Sequence, residues 1–300
     1  MNGQIRFGLR LSETEHARLW ARVQNHFAWN EREWQPLWLN GERLGLVSEK
    51  WRQLIRQDWQ GGLDVRESGL ALSADNWLAM ADNLQNMAQG WNRLGVLEGW
   101  RNEKFDVADD SGRPLFALER AAFRPLGLLS NAIHINGLTC RNGEWRFWIG
   151  RRSPFKAVDP NKLDNLVGGG VSSGERIEEA MLREGAEEAG LLPPLLQGLD
   201  CRSCRLSMRR VSRGLHRERL HIFDVVLPPD VLPENQDGEV AEFMLMDCHE
   251  LAAAMADGRL MNDALLATLD LFLRGGLLDE AHPLAQWLST SADCRSLINF

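Results

Sequence analysis

The chain has 300 residues, of which 44% are hydrophobic and 25% are charged, and its formal net charge is -8. This length predicts two domains at about 150 residues each, and a chain of this size buries enough apolar surface to fold without disulfides. The acidic balance disfavours general nucleic-acid binding, which usually needs a basic surface. The acidic charge is compatible with a small anionic substrate, because a bound divalent cation inverts the local charge of an acidic site.

Cysteine and tryptophan usage narrows the class of protein further. The five cysteines are an odd number, which does not predict a secreted disulfide scaffold. The N-terminus has no apolar signal core and no stretch approaches about 18 uncharged apolar residues, so we expect a cytoplasmic protein without a membrane span. The 12 Trp indicate core packing or a stacking platform for a ring-bearing substrate. The sequence is also compatible with a homodimer.

The first part of the chain, residues 1–122, predicts a small α+β domain. Ser12 and Glu15 have the spacing of a capping box at a helix start, and Asn40-Gly41 is a strong hairpin turn. The predicted elements are a helix over 12–27, a hairpin over 36–47, a helix over 49–57, a strand over 63–72 and a helix over 73–94. No catalytic constellation is recognisable here, so this domain is interpreted as a structural or substrate-positioning module.

The remaining residues, 123–300, predict an α/β (α+β) domain with a mixed sheet sandwiched between helices. Gly190 is well placed to end a helix. The predicted strands cover 128–138, 145–151, 220–227 and 242–246, and residues 163–167 lead into the glycines 168–170. The predicted helices cover 175–189, 249–256 and 262–274. The basic stretch 202–219 indicates either a phosphate-binding loop or a charged hairpin.

The helix over 175–189 carries acidic residues where its apolar stripe should continue. Glu184, Glu187 and Glu188 lie at i, i+3 and i+4 and therefore share one face. Two carboxylates about 6 Å apart repel by roughly 3 kcal/mol at an effective dielectric near 20, and burial adds a desolvation cost. A divalent cation removes both costs, and hard oxygen ligands suit Mg²⁺ or Mn²⁺. A solvated acidic face is the alternative for three glutamates taken alone.

The spacing around these glutamates is more specific than the glutamates themselves. From Gly169 to Leu191 the chain reads Gly, five residues, Glu, seven residues, Arg-Glu, two residues, Glu-Glu, one residue, Gly and an apolar residue. This pattern resembles the Nudix box. The resemblance implies a Nudix fold over about residues 125–275 and metal-dependent cleavage of a diphosphate linkage. Gly185 departs from the pattern, which has an apolar residue there, and glycine inside a helix costs about 1 kcal/mol.

Carried over position by position, the resemblance implies a role for each polar residue of the box. The expected metal ligands are Glu184, Glu187, Glu188 and the carbonyl group of Gly169, with Arg183 orienting a glutamate and Glu175 structural. Gly169 and Gly170 let the backbone approach the metal or phosphate. A pair between Glu175 and Arg183 would brace the junction of loop and helix, although the spacing is long for a contact within one helix.

The loop before the last predicted strand offers a further acid. Glu239 is the preferred candidate for an additional metal ligand or general base, and Glu242 is the second choice. Either residue is equally well explained as a solvated loop acid.

Motifs outside the box resemble a Nudix subfamily related to the N-terminal region of fungal thiamine pyrophosphokinase proteins. These motifs cover 127–137, 148–153, Lys156, 162–170, 215–218 and 235–239. The resemblance implies hydrolysis of thiamine diphosphate, or of its oxy- and oxo- analogues, to the monophosphate. Arg151, Arg152 and Lys156 form a cationic group that suits terminal phosphate oxygens or an ordinary solvated turn. His216 is a candidate substrate contact or a structural histidine.

Other functions stay open beside this one. A nucleoside diphosphate derivative such as ADP-ribose is a competing substrate, and a non-catalytic ligand-binding Nudix domain is a competing class, although it would not need all three carboxylates. Isomerisation of isopentenyl diphosphate needs a catalytic cysteine and a His-based metal site, for which Cys140 has no supporting context. Cys201 and Cys204 form a lone pair, with no second pair to complete a zinc site.

Overall fold

The structure is a computed structural model that describes residues 5–28, 30–156 and 158–291, so Cys294 lies outside the described residues. The helices are α1 Glu13–His26, α2 Glu49–Asp58, α3 Trp77–Arg93, α4 Phe123–Leu126, α5 Ile177–Ala189, α6 Pro193–Leu196, α7 Cys248–Ala256, α8 Asn262–Gly275 and α9 Pro283–Ser291. The strands are β1 Gln35–Leu39, β2 Glu42–Val47, β3 Gly62–Arg66, β4 Gly69–Ser73, β5 Lys104–Ala108, β6 Pro114–Glu119, β7 Ser130–Arg141, β8 Glu144–Arg152, β9 Leu163–Asp164, β10 Val167–Gly170, β11 Ser203–Val211, β12 Gly214–Val226 and β13 Val240–Met246. None of the described helices has the length and apolarity needed to cross a membrane.

The N-terminal α+β prediction is confirmed, with one correction. A four-stranded sheet of order β2-β1-β4-β3 packs against α2 and α3 around a core that includes Leu37, Leu84 and Trp91. The single strand predicted over 63–72 is wrong, because the chain turns at residues 67–68 and returns as β4. Gly69 permits the reversal at φ 146°, and a Cβ there would lie 2.2 Å from the carbonyl oxygen of Pro36.

The C-terminal half is the predicted mixed sheet between helices. Its strand order is β11-β12-β7-β8-β13, with β10 paired to β7 and β9 paired to β8. Strands β7 and β12 run parallel, whereas the other pairs are antiparallel. Helix α5 packs on one face through Ala180 and Met181, and α7 and α8 cover the other face. The basic stretch 202–219 is the β11–β12 hairpin, as one of its two interpretations predicted.

The first helix packs with the C-terminal half rather than with the sheet that follows it in sequence. Ser12 and Glu15 form the predicted capping box of α1, and Leu19 and Val23 of α1 lie in one buried cluster with Phe272 of α8. Residues 5–28 therefore contribute to the core of the second unit. The boundary between residues 122 and 123 stays a prediction.

The β5–β6 hairpin joins the two halves and is absent from the sequence prediction. Its strands pair only with each other, and Phe105 belongs to the N-terminal core. The main chain of Lys104 accepts a hydrogen bond from the N–H of Ser173 over 2.8 Å. The hairpin is thereby positioned against the loop that leads into α5.

Candidate functional site

The acidic motif spans a strand, a loop and a helix. Strand β10 ends at Gly170, the loop covers residues 171–176, and α5 ends at Gly190, which adopts the left-handed conformation at φ 63°. This is the predicted C-terminal stop. Gly185 departs from the family pattern because a Cβ there would lie 2.3 Å from a methyl carbon of Leu196. Glycine lets α6 pack directly onto α5.

Arg183 connects all three parts of the motif. Its Nε and Nη2 atoms donate to the two carboxylate oxygens of Glu175 over 2.7 and 2.9 Å, and Nη2 also donates to the carbonyl oxygen of Gly170 over 3.2 Å. Its Nη1 atom donates to Glu184 over 2.8 Å and to Glu187 over 3.2 Å. The predicted brace between Glu175 and Arg183 is confirmed. The long spacing is bridged because Glu175 lies in the loop before the helix.

The charges of this brace stabilise one another. Burial alone would raise the pKa of Glu175, but the hydrogen bonds from Arg183 and the Ser172 N–H outweigh burial, so the pKa is lowered. The hydrogen bond to Glu175 is the main reason that the pKa of Arg183 is raised. Both groups are therefore ionised near neutral pH, and the guanidinium keeps its bidentate geometry.

Glu188 is a buried carboxylate. It is 5% exposed and accepts a hydrogen bond from the Gly168 N–H over 2.8 Å. Burial raises the pKa of Glu188 to about 8, and the negative charge of Asp164 adds to this rise. Within the described ranges, no Lys, Arg or His nitrogen lies within 4.0 Å of its oxygens. A buried carboxylate without an ion-pair partner is costly unless a cation compensates it.

Glu184 lies directly over the glycine strand. A Cβ on Gly169 would be 2.0 Å from the carboxyl carbon of Glu184, so only glycine leaves space for the carboxylate at this position. Burial raises the pKa of Glu184, against the opposing effect of Arg183. One buried and one partly buried carboxylate with raised pKa values, beside the glycines of β10, fit the charge and oxygen donors that a divalent cation requires.

Glu187 is oriented differently from these two residues. Its side chain is 51% exposed and its carboxylate faces Arg183. The three glutamates therefore do not form a compact group of ligand atoms. Among the described residues, such groups occur at Cys201, Cys204 and His221 and at His216, Glu218 and Asp263. The ligand roles of Glu184, Glu187, Glu188 and the Gly169 carbonyl stay predictions that the chemistry of the donors supports.

The predicted cationic group lies at the end of β8 and is paired with carboxylates. The Nε atom of Arg151 donates to Glu242 over 2.6 Å, and Lys156 forms an ion pair with Glu239. The charges of Lys156 and Glu188 influence each other, which places Lys156 near the acidic motif. The proposed roles of these residues with phosphate, or of Glu239 as a base, stay predictions.

Asp164 also belongs to the site, although the residues around it show no periodic pattern that would predict this position. It is 8% exposed, and Arg152 donates to its carboxylate over 2.8 Å. Its negative charge contributes to the raised pKa of Glu188. The pairing of Gly150 with Asp164 between β8 and β9 brings it there, and a two-residue strand has too few positions for a periodic pattern.

The structure places His216 in a buried position, which favours the alternative of a structural histidine, and its role as a substrate contact stays a prediction. His216 is 2% exposed, and its Nε2 atom lies 3.1 Å from a carboxylate oxygen of Asp263 on α8. Helix α8 covers the opposite face of the sheet from α5. Burial lowers the pKa of His216, although the charge of Asp263 opposes this shift. The residue is therefore part of a buried polar network.

Besides the main chain of Lys104, two side chains of the N-terminal half reach the acidic motif. The Asp106 carboxylate accepts hydrogen bonds from the Ser173 hydroxyl over 2.6 Å and from the Gly174 N–H over 2.9 Å. A Cβ on Gly170 would lie 2.8 Å from the ring of Phe105. Strand β5 therefore contacts the start and the middle of the loop before α5. The sequence carries no signal of this contact, because it joins positions that are distant along the chain.

Most of the described tryptophans pack in or against the hydrophobic cores. Buried Trp side chains occur in the N-terminal core at Trp51, Trp59 and Trp91 and beside α5 at Trp148, and Trp34 is also buried. Others pack against the clusters from partly buried positions, including Trp20, Trp77, Trp100, Trp145 and Trp287. This distribution favours core packing over a stacking platform, the two alternatives that composition left open.

Family comparisons agree with the geometry of the motif. Residues 132–265 match the model of the NUDIX domain family, and residues 16–130 match a domain of unknown function, DUF4743. Residues 132–265 are a Nudix domain. The resemblance based on the acidic motif is thereby confirmed. The comparisons give no support for the thiamine-related subfamily.

The chain is similar to two curated plant proteins over roughly two thirds of its length. Nudix hydrolase 24, chloroplastic, of Arabidopsis thaliana is 35% identical over 191 residues, covering 63% of this chain and 52% of that protein. Nudix hydrolase 20, chloroplastic, of the same plant is 31% identical over 186 residues, covering 61% and 50%. The chain thus spans about half the length of these relatives. A Deinococcus radiodurans crystal structure, 24% identical, aligns with 56% of this chain and 96% of its own at a TM-score of 0.42.

Proposed function

We propose that this Nudix domain hydrolyses a diphosphate linkage with the help of Mg²⁺ or Mn²⁺. One observation carries the proposal: Arg183 holds Glu184 and Glu187 on the face of α5 where Glu188 is buried without an ion-pair partner among the described residues. Such a face is costly as pure structure and is compensated by a divalent cation.

Each part of the motif has a defined task in this proposal. Glu184, Glu187 and Glu188 hold the cation, and Arg183 fixes the first two carboxylates while tying them to the Gly170 carbonyl. The glycines at the end of β10 let a diphosphate approach the backbone closely. The cation, when bound, polarises the phosphoryl group and activates a water molecule.

The basic residues beside the motif suit the substrate's charge. Lys156 faces Glu239 and is close enough to Glu188 for their charges to interact. In the proposal, substrate phosphate competes with Glu239 for Lys156, and the released Glu239 carboxylate becomes a candidate general base. Arg151 and Arg152, paired with Glu242 and Asp164, are further candidates for phosphate contacts.

The proposed substrate is thiamine diphosphate or an oxidised analogue, converted to the monophosphate and orthophosphate. The support is the similarity of motifs between residues 127 and 239 to the thiamine-related subfamily. The names of the curated relatives specify no substrate, so they do not decide between thiamine compounds and other diphosphates. A nucleoside diphosphate derivative such as ADP-ribose is therefore kept as the second candidate. Those relatives are chloroplastic by name; a cytoplasmic location for this chain stays a prediction.

Phosphate release and product formation should be measured with Mg²⁺ or Mn²⁺ across a panel of diphosphates. The panel contains thiamine diphosphate, its oxy- and oxo- analogues, ADP-ribose, nucleoside triphosphates and isopentenyl diphosphate. Because ADP-ribose cleavage yields two monophosphates, that reaction is followed by chromatography. Glu187→Gln is the matched variant, because the Glu187 side chain is exposed and its replacement should leave the fold intact. EDTA tests the cation requirement.

The outcomes separate the alternatives. Metal-dependent turnover of thiamine compounds that Glu187→Gln abolishes supports the full proposal. Preference for ADP-ribose keeps diphosphate hydrolysis and rejects thiamine. Binding without turnover by folded protein favours a ligand-binding domain and overturns the enzymatic proposal.

A further inference from the structure

A second group of ligand atoms lies away from the Nudix helix, where β11 begins at an edge of the sheet. It contains the thiols of Cys201 and Cys204 and the ring of His221, whose ligand atoms all lie within 4.8 Å of one another. Cys204 and His221 face each other in the β11–β12 register. The hairpin thus supplies the third ligand that the lone cysteine pair lacked in sequence.

The distances within the group match a tetrahedral metal site. The two sulfur atoms are 4.0 Å apart, and the Cys204 sulfur is 3.5 Å from Nδ1 of His221. Tetrahedral zinc with bonds of about 2.3 Å to sulfur and about 2.0 Å to nitrogen separates two sulfurs by about 3.8 Å and sulfur from nitrogen by about 3.5 Å. Little movement would therefore be needed to bind the ion.

A neighbouring side chain orients the histidine for this role. The Nε2 atom of His221 lies 3.0 Å from the Oδ1 atom of Asn131. Because that amide oxygen only accepts, Nε2 carries the proton and Nδ1 directs its lone pair towards Cys204. Metal-binding histidines commonly donate their other ring N–H to such an oxygen.

The chemistry of the two thiols suits a soft divalent cation. Thiolates are the form of cysteine that binds metal, so a cation bound between the two sulfurs would replace the protons of the thiols.

The site is accessible from solvent. Cys201 is exposed, whereas Cys204 and His221 are half-buried. His221 and Asn131 follow the same alternation as Phe223 and Ile133, which face α5, and the Asn131 carbonyl accepts the N–H of Val171 in the loop before α5. A metal bound there would stabilise the strand next to the Nudix motif.

We propose that Cys201, Cys204 and His221 form a zinc site, with Asn131 as the residue that positions the histidine. Three protein ligands leave the fourth tetrahedral position to water or a small ligand. The site is separate from the Mg²⁺ or Mn²⁺ site of the proposed hydrolase, which uses oxygen ligands on α5.

The test begins with the full chain, expressed without a polyhistidine tag and purified under reducing conditions. Metal content is measured by elemental analysis, and the apoprotein is titrated with Co²⁺ while the thiolate-to-cobalt charge-transfer band is recorded. We expect one zinc per chain and a saturable band that Zn²⁺ abolishes. Cys204→Ser and His221→Ala should weaken binding strongly, and Asn131→Ala should weaken it by about 10- to 100-fold.

Controls distinguish this site from other metal binding. Cys140→Ser removes an exposed thiol elsewhere and should leave zinc content and the cobalt band unchanged, as should Glu187→Gln in the Nudix motif. The proposal is overturned if reduced wild-type protein shows neither zinc nor a cobalt band. Retention of both by Cys204→Ser, or a thiol pair that forms a disulfide but binds no cobalt when reduced, would also overturn it. Circular dichroism verifies that each variant is folded.

Discussion

The carboxylate of Asp106 accepts a hydrogen bond from the hydroxyl group of Ser173 over 2.6 Å. This contact joins a strand of the DUF4743 region to the loop of the Nudix motif. It gives the accessory half a physical role, because it adds to the anchoring of the loop by Glu175 and Arg183 within the Nudix motif. The accessory half therefore positions the loop that precedes the acidic helix.

Asp106→Ala removes two hydrogen bonds between β5 and the loop, from the Ser173 hydroxyl and the Gly174 N–H, and we expect it to lower kcat/KM for the best substrate by about fivefold or more, corresponding to about 1 kcal/mol or more. The loop would keep its backbone link from the Ser173 N–H to the Lys104 carbonyl, and the two cores would remain intact. Asp110→Asn, an exposed acid in the same hairpin, is the control and should behave as wild type. Equal activities of the Asp106 and Asp110 variants would show that the link is dispensable.

Arg183→Lys should reduce kcat by more than about tenfold. An ammonium group cannot reproduce the planar contacts that Arg183 makes with Glu175, Glu184 and the Gly170 carbonyl. Steady-state kinetics and thermal unfolding of the purified variant measure the effect. Arg176→Lys is the matched control, because Arg176 is a mostly exposed guanidinium at the start of the same helix. A normal kcat for Arg183→Lys would contradict the orienting role.

Gly169→Ala should impair metal-dependent turnover far more than folding. The new Cβ would displace the Glu184 carboxylate, whose carbon lies 2.0 Å from that position, but the end of a flexible side chain can move. We expect at least about tenfold higher Mg²⁺ or Mn²⁺ concentration for half-maximal activity. Metal titration of activity and thermal unfolding measure the two effects.

Gly90→Ala in α3 is the control for Gly169→Ala, since a Cβ there meets nothing within 4 Å. It should leave the metal requirement unchanged and stabilise the fold slightly. An unchanged metal requirement in Gly169→Ala would show that the position of Glu184 over the strand is unimportant for turnover.

His216→Gln should destabilise the protein by about 1–3 kcal/mol at neutral pH, because it disturbs a buried hydrogen bond to Asp263. The activity per folded molecule should be retained, since His216 lies on the α8 side of the sheet. Denaturant unfolding and kinetics measure the two quantities. A selective rise in KM with unchanged stability would instead indicate that His216 contacts the substrate.

The stability difference in His216→Gln should also depend on pH. Burial lowers the pKa of His216 in the folded protein, so the unfolded chain binds the proton more readily once the pH falls below about 6.5. The contribution of neutral His216 is therefore present above that pH and declines below it. The wild type and the variant should converge in stability on acidification, and a widening gap would contradict this sign.

Local patterns in the sequence predicted much of this protein. The capping box of α1, the Asn40-Gly41 turn and the stop at Gly190 all depend on neighbouring residues, and each is present in the structure. The acidic box predicted the Nudix domain because its residues lie on one short segment, whose spacing reflects a strand end, a loop and a helix in sequence. By contrast, the sequence predicts one strand over 63–72 where the structure has β3 and β4. The residues of β3 are all exposed, so they show no alternation of buried and exposed positions that would separate the two strands.

Tertiary structure alone decided the contacts between distant segments. Asp164 reaches Glu188 through a two-residue strand, Asp106 reaches Ser173 from the accessory half, and His221 reaches Cys204 through hairpin register. These pairs are separated along the chain, and a single sequence carries no periodicity that relates them. The sequence by itself therefore determined the acidic helix and its family. Only the tertiary structure decided which carboxylates, hydrogen bonds and thiols lie around that helix, because proximity in space follows from strand pairing and packing.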